Sequence, residues 1–342
     1  MIANAAMDIW EAEGVGPIVK YEDDVSVFRI PTAEIPGADG SSSHYTYPYD
    51  RSSAVERISS LNIPWHPGKG QDFDTVFKYI GFLWRIDEKS VSLPDEKRIK
   101  FLNRVRTFLA SFSSGRCSVD DVMKIHGSLC HITYVYPHGR NRLASLSTFI
   151  SRFNDNRYRR LYPPSSVISD LRWWNNTLSI EGTSRSLVPL GPPVNLNLFV
   201  DASTSWGIGI YLDGKWDAWS ILPNWKGPCR DIGWLEGVGL EFTIYVLEEL
   251  GFSNAHITIY SDNKGVIGAF DKGRCRNFKI NSSIRRSSNV LASKNILLNL
   301  VHVESEANLA DPISRGILGS PESRLCTQFN IPDDIKSFFL HV

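Results

Sequence analysis

The chain has 342 residues, 42% of them hydrophobic, including 10 Trp and 17 Phe. That is enough apolar material for two or three packed domains, and it excludes a disordered chain. The 37 basic and 37 acidic residues cancel, so bulk charge points to no class of partner and the local distribution has to be read instead. The five cysteines, Cys117, Cys130, Cys229, Cys275 and Cys326, lack metal-finger or paired redox spacing and are expected to be reduced thiols. The first residues carry acids where a secretory signal needs bases, and no run approaches the ~20 apolar residues of a membrane span. The expectation is an intracellular protein, cytoplasmic or nuclear, with no membrane partner.

In chain order, residues 17–30 read as two short strands around the acidic turn Tyr21-Glu22-Asp23-Asp24, with Pro17 and Pro31 closing the ends. Residues 34–72, rich in Pro, Gly, Ser and Tyr, read as irregular. A single strand is expected at 75–85. The middle is helical. Pro94-Asp95-Glu96 suits a first helical turn, and Ile99, Leu102, Val105, Leu109 and Phe112 recur at helical spacing. Further helices are expected from about 119 toward Pro137, at 143–153 and at 167–178. The stretch 184–193, with three prolines and a glycine, reads as a linker.

The period then changes. Residues 195–201 alternate polar and apolar as a half-buried strand does. Strands at 206–212 and 216–221 follow, joined at Asp213-Gly214. Next come a helix at 235–250, a strand at 256–260, helices at 263–270 and about 277–292, a strand at 296–303 and a short helix from Asn308 to Ser314. The order is three strands, helix, strand, helices, strand, helix.

Four acids stand out. Asp201 and Asp262 each follow an apolar strand directly, Glu241 lies in the long helix, and Asp311 starts the last helix. Ligands of an open α/β sheet gather at strand ends, so these acids are placed to converge there. Clustered carboxylates repel one another unless a cation holds them, and Mg²⁺, with Mn²⁺ as the alternative, is the hard oxygen-loving ion that suits them. Each acid alone has an ordinary reading as a turn, cap or solvated-face residue.

The segments VDAST, LEF, YSDNKGV and NLADPISRG, in this order, resemble the four motifs of the RNase H domain of retroelement reverse transcriptases, with the nearest look to fungal gypsy and DIRS-like elements. The resemblance spans about residues 195–316. It implies an RNase H-like mixed sheet with flanking helices. It also implies Asp201, Glu241, Asp262 and Asp311 as catalytic metal ligands, and a two-metal hydrolysis of the RNA strand of RNA–DNA hybrids. Glu241 is chosen for the second acid because Phe242, Tyr245 and Val246 follow it; Glu236, five residues earlier, is the alternative. His302, nine residues before Asp311, sits in an apolar strand end and reads as structural.

Tyr21-Glu22-Asp23-Asp24 resembles the YxDD turn of reverse transcriptase palms, and residues 77–82 resemble the primer-contacting strand of that family. By this resemblance Asp23 and Asp24 are metal ligands. Residues 1–90 are then the end of a partial polymerase palm, 91–190 a helical thumb and connection, 191–320 the RNase H-like domain and 321–342 a tail. Family polymerases take a further Asp from upstream, and Tyr21 is preceded by only 20 residues. The expectation is a chain that does not polymerise alone, with a second chain supplying the fingers and upstream palm.

Two basic stretches suit a phosphate backbone. Residues 140–160 hold six Arg against Asp155, with Phe149, Phe153 and Tyr158 interleaved, and 264–286 hold seven bases against Asp271. Arg274, Arg276, Lys279, Arg140 and Arg142 are the expected nucleic-acid contacts. The tryptophans read mainly as core. The leading expectation is thus an RNase H-type endoribonuclease within a retroelement-derived fragment. Its rivals are a non-catalytic nucleic-acid-binding scaffold on the same fold, and an integrase-like DNA nuclease, which would rest on three acids.

Overall fold

Alternating burial along the strands after residue 193 builds one mixed sheet. A computed structural model of the chain describes residues 2–36, 44–63, 65, 68, 70–154 and 156–342. It divides into two compact units, one of residues 1–98 with 181–188, the other of 99–180 with 189–342.

In the larger unit Val194–Ala202, Gly207–Leu212 and Lys215–Ile221 form an antiparallel meander. Its tight turn is Asp213-Gly214, both with positive φ, as a two-residue hairpin needs. Ala255–Ser261 runs parallel to the first strand, and Ile296–His302 parallel to Ala255–Ser261. Each parallel connection is helical: Ile232–Glu249 precedes the fourth strand, and Lys264–Asp271 with Phe278–Lys294 precedes the fifth. Side chains at Asp231, Asn263 and Asn277 cap the starts of these three helices. Beneath the sheet Val200, Ile208, Ile210, Trp219, Trp234 and Phe242 are buried in one core with Ile257 and Ile259. Each such side chain contributes about 1.5–3 kcal/mol by leaving water.

The segment expected as a tail is instead part of this sheet. Phe339–His341 pairs antiparallel with Lys215–Ile221 and gives the order fifth, fourth, first, second, third, last. His341 lies 2.7 Å from the buried Asp217 carboxylate and stacks on Trp219. The helices Val119–Ile132, Ala144–Ser151 and Ser165–Ser179 belong to the same unit, where buried Asp170 accepts from Arg285 of the Phe278–Lys294 helix at 2.7 Å. Asn141 Nδ2 donates to Ser288 Oγ, and Asn281 Nδ2 donates to the Asn141 carbonyl.

In the smaller unit, Ile18–Tyr21 and Asp24–Val27 form the expected hairpin around Glu22 and Asp23. A helix at Ile2–Ala12 precedes it, which the sequence reading did not anticipate. Trp10, Tyr49, Ala54 and Ile58 make a small core. The expected single strand at 75–85 is a hairpin, Val76–Tyr79 with Phe82–Arg85. Ile80 and Gly81 both take positive φ and turn the chain. Ser90–Ser92 and Ser184–Ser186 complete this four-stranded antiparallel sheet, so the start of the expected linker is a strand. Part of the irregular 34–72 stretch lies outside the described residues. No described helix is long and apolar enough to cross a membrane.

Candidate metal centre

Asp201 is the penultimate residue of the first strand, and Asp262 directly follows the fourth. These strands are neighbours and run parallel, so both carboxylates emerge at the same sheet end. The long helix Ile232–Glu249 crosses beneath, held close by Gly239, whose added Cβ would meet Val200 at 3.1 Å and Ile208 at 3.6 Å. Glu236 lies one turn earlier on that helix, and residues three apart share a helix face. Asp201, Glu236 and Asp262 therefore meet, with ligand oxygens within 4.8 Å of one another. No other group of three or more metal-ligating side chains forms among the described residues.

The short helix Asp311–Ser314 lies against the sheet because Gly209 has no side chain. A Cβ at Gly209 would stand 2.5 Å from the Ser314 nitrogen and 2.8 Å from the Ala310 carbonyl oxygen. Gly209 pairs with Asp201 across the strands. This close approach brings the Ser314 hydroxyl to Asp201 Oδ2, and Asn308 Nδ2 donates to Asp201 Oδ1 at 3.3 Å and to the Val200 carbonyl at 3.1 Å. Ser305 Oγ donates to Asp262 Oδ2 at 2.5 Å. Both aspartates are thus oriented by neutral donors.

The electrostatics match a site short of positive charge. Burial pushes the Glu236 carboxyl up to about 9, and the neighbouring Asp201 and Asp262 push the same way; the Ala202 backbone N–H opposes them. Burial pushes Asp201 up to about 6; the Ser314 hydrogen bond opposes this, and Asp262 and Asp311 add to it. Glu236 is 5% exposed, and its Oε2 has no hydrogen-bond partner. A buried acceptor left in this way needs an explanation, and a cation between three carboxylates supplies one.

The expected second ligand, Glu241, is elsewhere. Five residues along a helix turn the side chain by roughly 140°, so Glu236 and Glu241 face different ways. Glu241 is fully buried against Arg286, with Nη2 donating to Oε2 at 2.9 Å, and it accepts from the Tyr245 hydroxyl at 2.7 Å. Arg286 also holds Asp334 at 3.1 Å. Both acids sit on largely apolar stripes of this buried helix, Glu236 with Gly239, Leu240 and Thr243 and Glu241 with Val238, Ile244 and Tyr245, so the pattern of burial does not by itself separate them.

Asp311 stands beside the group and feeds its charge into Asp201, but its own carboxylate is held by Arg315, Nη2 to Oδ1 at 2.8 Å. Asp23 and Asp24 lie exposed at the hairpin turn, and no third ligand joins them among the described residues. His302 ends the fifth strand, 3.9 Å from Glu304.

The expected phosphate contacts divide. Arg140, Arg274 and Arg276 are exposed, and Lys279 sits over the Phe278 ring at 5.2 Å. Arg142 turns inward to Asp170, because that fully buried carboxylate needs a cation. Arg285 and Arg286, within the second basic stretch, are likewise taken by Asp170 and Glu241. Trp174, Trp219 and Trp234 are core residues.

No family model matches the chain, and no curated protein matches it. Among solved structures it is similar to a foamy viral protease-reverse transcriptase in complex with RNA/DNA hybrid, at 13% identity and a TM-score of 0.35, over 98% of this chain and 40% of that one. It is also similar to the foamy viral protease-reverse transcriptase dRH in complex with double-stranded DNA, at 15% identity and a TM-score of 0.28, over 87% and 48%. The chain spans less than half the length of the solved chains it matches.

Proposed function

We propose that this chain is a metal-dependent ribonuclease of the RNase H type, cutting the RNA strand of RNA–DNA hybrids within a retroelement-derived reverse transcriptase fragment. One observation carries the reading: three carboxylates converge within 4.8 Å at the ends of parallel strands, and one of them, Glu236, is buried with an oxygen that nothing satisfies. The strand and helix order around them is the one in which the four sequence motifs resemble that family.

Asp201, Glu236 and Asp262 would hold Mg²⁺ or Mn²⁺. Such an ion supplies Lewis-acid activation of water and neutralises charge at a phosphodiester. The chain's own groups do the rest. Ser314 and Asn308 fix the Asp201 carboxylate, and Ser305 fixes that of Asp262. Arg315, paired to Asp311 and half exposed, offers its remaining donors beside the carboxylates, where a phosphate oxygen can meet them. Arg274, Arg276 and Lys279 present charge to the backbone of the duplex.

The test is hydrolysis of a labelled hybrid by the full chain. Cleavage of the RNA strand is expected with Mg²⁺ and not with EDTA, with single-stranded RNA largely spared. Asp262→Asn is expected to abolish cleavage while hybrid binding survives. A chain that binds hybrid and never cuts it with any divalent ion is the scaffold instead.

A further inference from the structure

Away from the carboxylate site, a cluster of exposed arginines surrounds residue 158. Arg152, Arg157, Arg159 and Arg160 are exposed, and Arg116 reaches the same place by stacking over the Tyr162 ring at 5.0 Å. None of these five guanidiniums forms an ion pair among the described residues. Tyr158 is 97% exposed and Tyr162 59%. A tyrosine so exposed gains nothing from burial in the native state, which leaves its ring free for a ligand.

The segment is built to hold these groups in place. Phe149 and Phe153 are buried directly before it and pack edge to face at 5.1 Å. The Asn156 side chain accepts from the backbone N–H groups of Tyr158 at 3.0 Å and Arg159 at 3.2 Å. Arg159 Nη1 donates to the Arg152 carbonyl at 3.1 Å and closes the loop on itself. Beyond it, Leu161 exchanges backbone hydrogen bonds with Cys117 at 3.0 and 3.1 Å, which ties Arg116 to Arg160 and Tyr162. The buried Cys117 thiol is pushed up to about 11, chiefly by burial, and serves as structure.

We propose that Arg116, Arg152, Arg157, Tyr158, Arg160 and Tyr162 form a docking surface for single-stranded nucleic acid. Guanidiniums track phosphates, and free aromatic faces take unstacked bases without sequence preference. A duplex hides its base faces and cannot use the tyrosines. The surface shares no residue with the carboxylate site, so its single-strand binding can be read without cleavage.

The test uses the full chain carrying Asp262→Asn, in EDTA, so that it is independent of the nuclease reading. Fluorescence anisotropy follows binding of oligo(U) and oligo(dT) roughly 12 nucleotides long. Binding of both is expected, with Tyr158→Ala weakening it roughly tenfold and Tyr158→Phe keeping it. Arg157→Gln with Arg160→Gln should lower the slope of log affinity against log salt by roughly 1.4. These side chains are exposed, so the variants should melt with the unmutated chain. Unchanged binding in Tyr158→Ala and in the double variant overturns the proposal. So does tighter binding of a blunt duplex than of the single strands through these residues, or a preference for anionic vesicles or polyglutamate over the oligonucleotides.

Discussion

Replacing Glu236 by Gln separates the metal centre from ordinary core polarity. Glu236 is pushed from 4.5 up to about 9 and Asp201 from 3.8 up to about 6. Both folded values are raised, so the native state binds protons more tightly than the unfolded chain. This contribution is fully present below about pH 4, and it is lost as pH rises through about 6 for Asp201 and about 9 for Glu236. At about 1.4 kcal/mol per pH unit, the Glu236 carboxyl alone costs the ion-free protein roughly 3 kcal/mol by neutral pH. Glu236→Gln keeps the shape and removes that titration. Urea unfolding in EDTA should find the two proteins alike near pH 5 and the variant more stable by a few kcal/mol near pH 8. Added Mg²⁺ should reverse the ranking: an ion at about a hundred times its dissociation constant stabilises the unmutated chain by roughly 2.7 kcal/mol, and the variant by much less. A flat stability profile for the ion-free unmutated chain across this window would refute the reasoning, as would full Mg²⁺ stabilisation of Glu236→Gln.

Glu241→Gln is expected to leave Mg²⁺ binding intact while destabilising the fold by about 3–5 kcal/mol, because Arg286 loses its buried partner; calorimetric ion titration and urea unfolding check the two halves. Gly209→Ala should drive the Asp311–Ser314 helix off the sheet, lowering the melting temperature and weakening Mg²⁺ affinity together, since Ser314 no longer reaches Asp201; unchanged Mg²⁺ affinity would count against that positioning role. Arg315→Gln should free Asp311 and tighten binding of a second Mn²⁺, read by electron paramagnetic resonance, with hybrid cleavage slowed through the lost phosphate contact; an unaltered Mn²⁺ count would show that the arginine does not compete there.

Most of the sheet was legible because its signals are local. NLNLFVD alternates, Asp213-Gly214 turns, and the strand before Asp262 is continuous and apolar. Asp201 and Asp262 were legible for the same reason, since each directly follows or ends such a strand. Glu236 was legible only as the alternative to Glu241, because motif likeness favoured the acid before Phe242 while helical phase decides which acid meets Asp201 and Asp262. The strand at Phe339–His341 was hidden because three residues show no period, and its place depends on Asp217 and Trp219 more than a hundred positions away. The hairpin at Ile80-Gly81 was hidden because β-branched Ile80 rarely takes positive φ, and only Gly81 hinted at a turn. Arg142, Arg285 and Arg286 look like surface charge in sequence, and only the fold reveals the buried carboxylates they serve.

Those carboxylates sharpen the argument about function. Five acids are buried among the described residues: Asp170, Asp201, Asp217, Glu236 and Glu241. A buried carboxylate is tolerated when a cation and further donors compensate its lost hydration. Asp170 has Arg285 and Arg142, Glu241 has Arg286, and Asp217 has His341 together with the Thr327 hydroxyl. Asp201 and Glu236 have no basic side chain within ion-pair distance, and they lie against a third acid, Asp262. Among the described residues, Asp170 and Glu241 thus each have an arginine and Asp217 has two neutral or basic donors, whereas Asp201 and Glu236 have no ion-pair partner where the three acids meet. Packing alone would favour apolar residues or an arginine there. Three carboxylates held this close with no ion-pair partner of their own could take a cation from solution, which would offset the burial that raises Asp201 and Glu236.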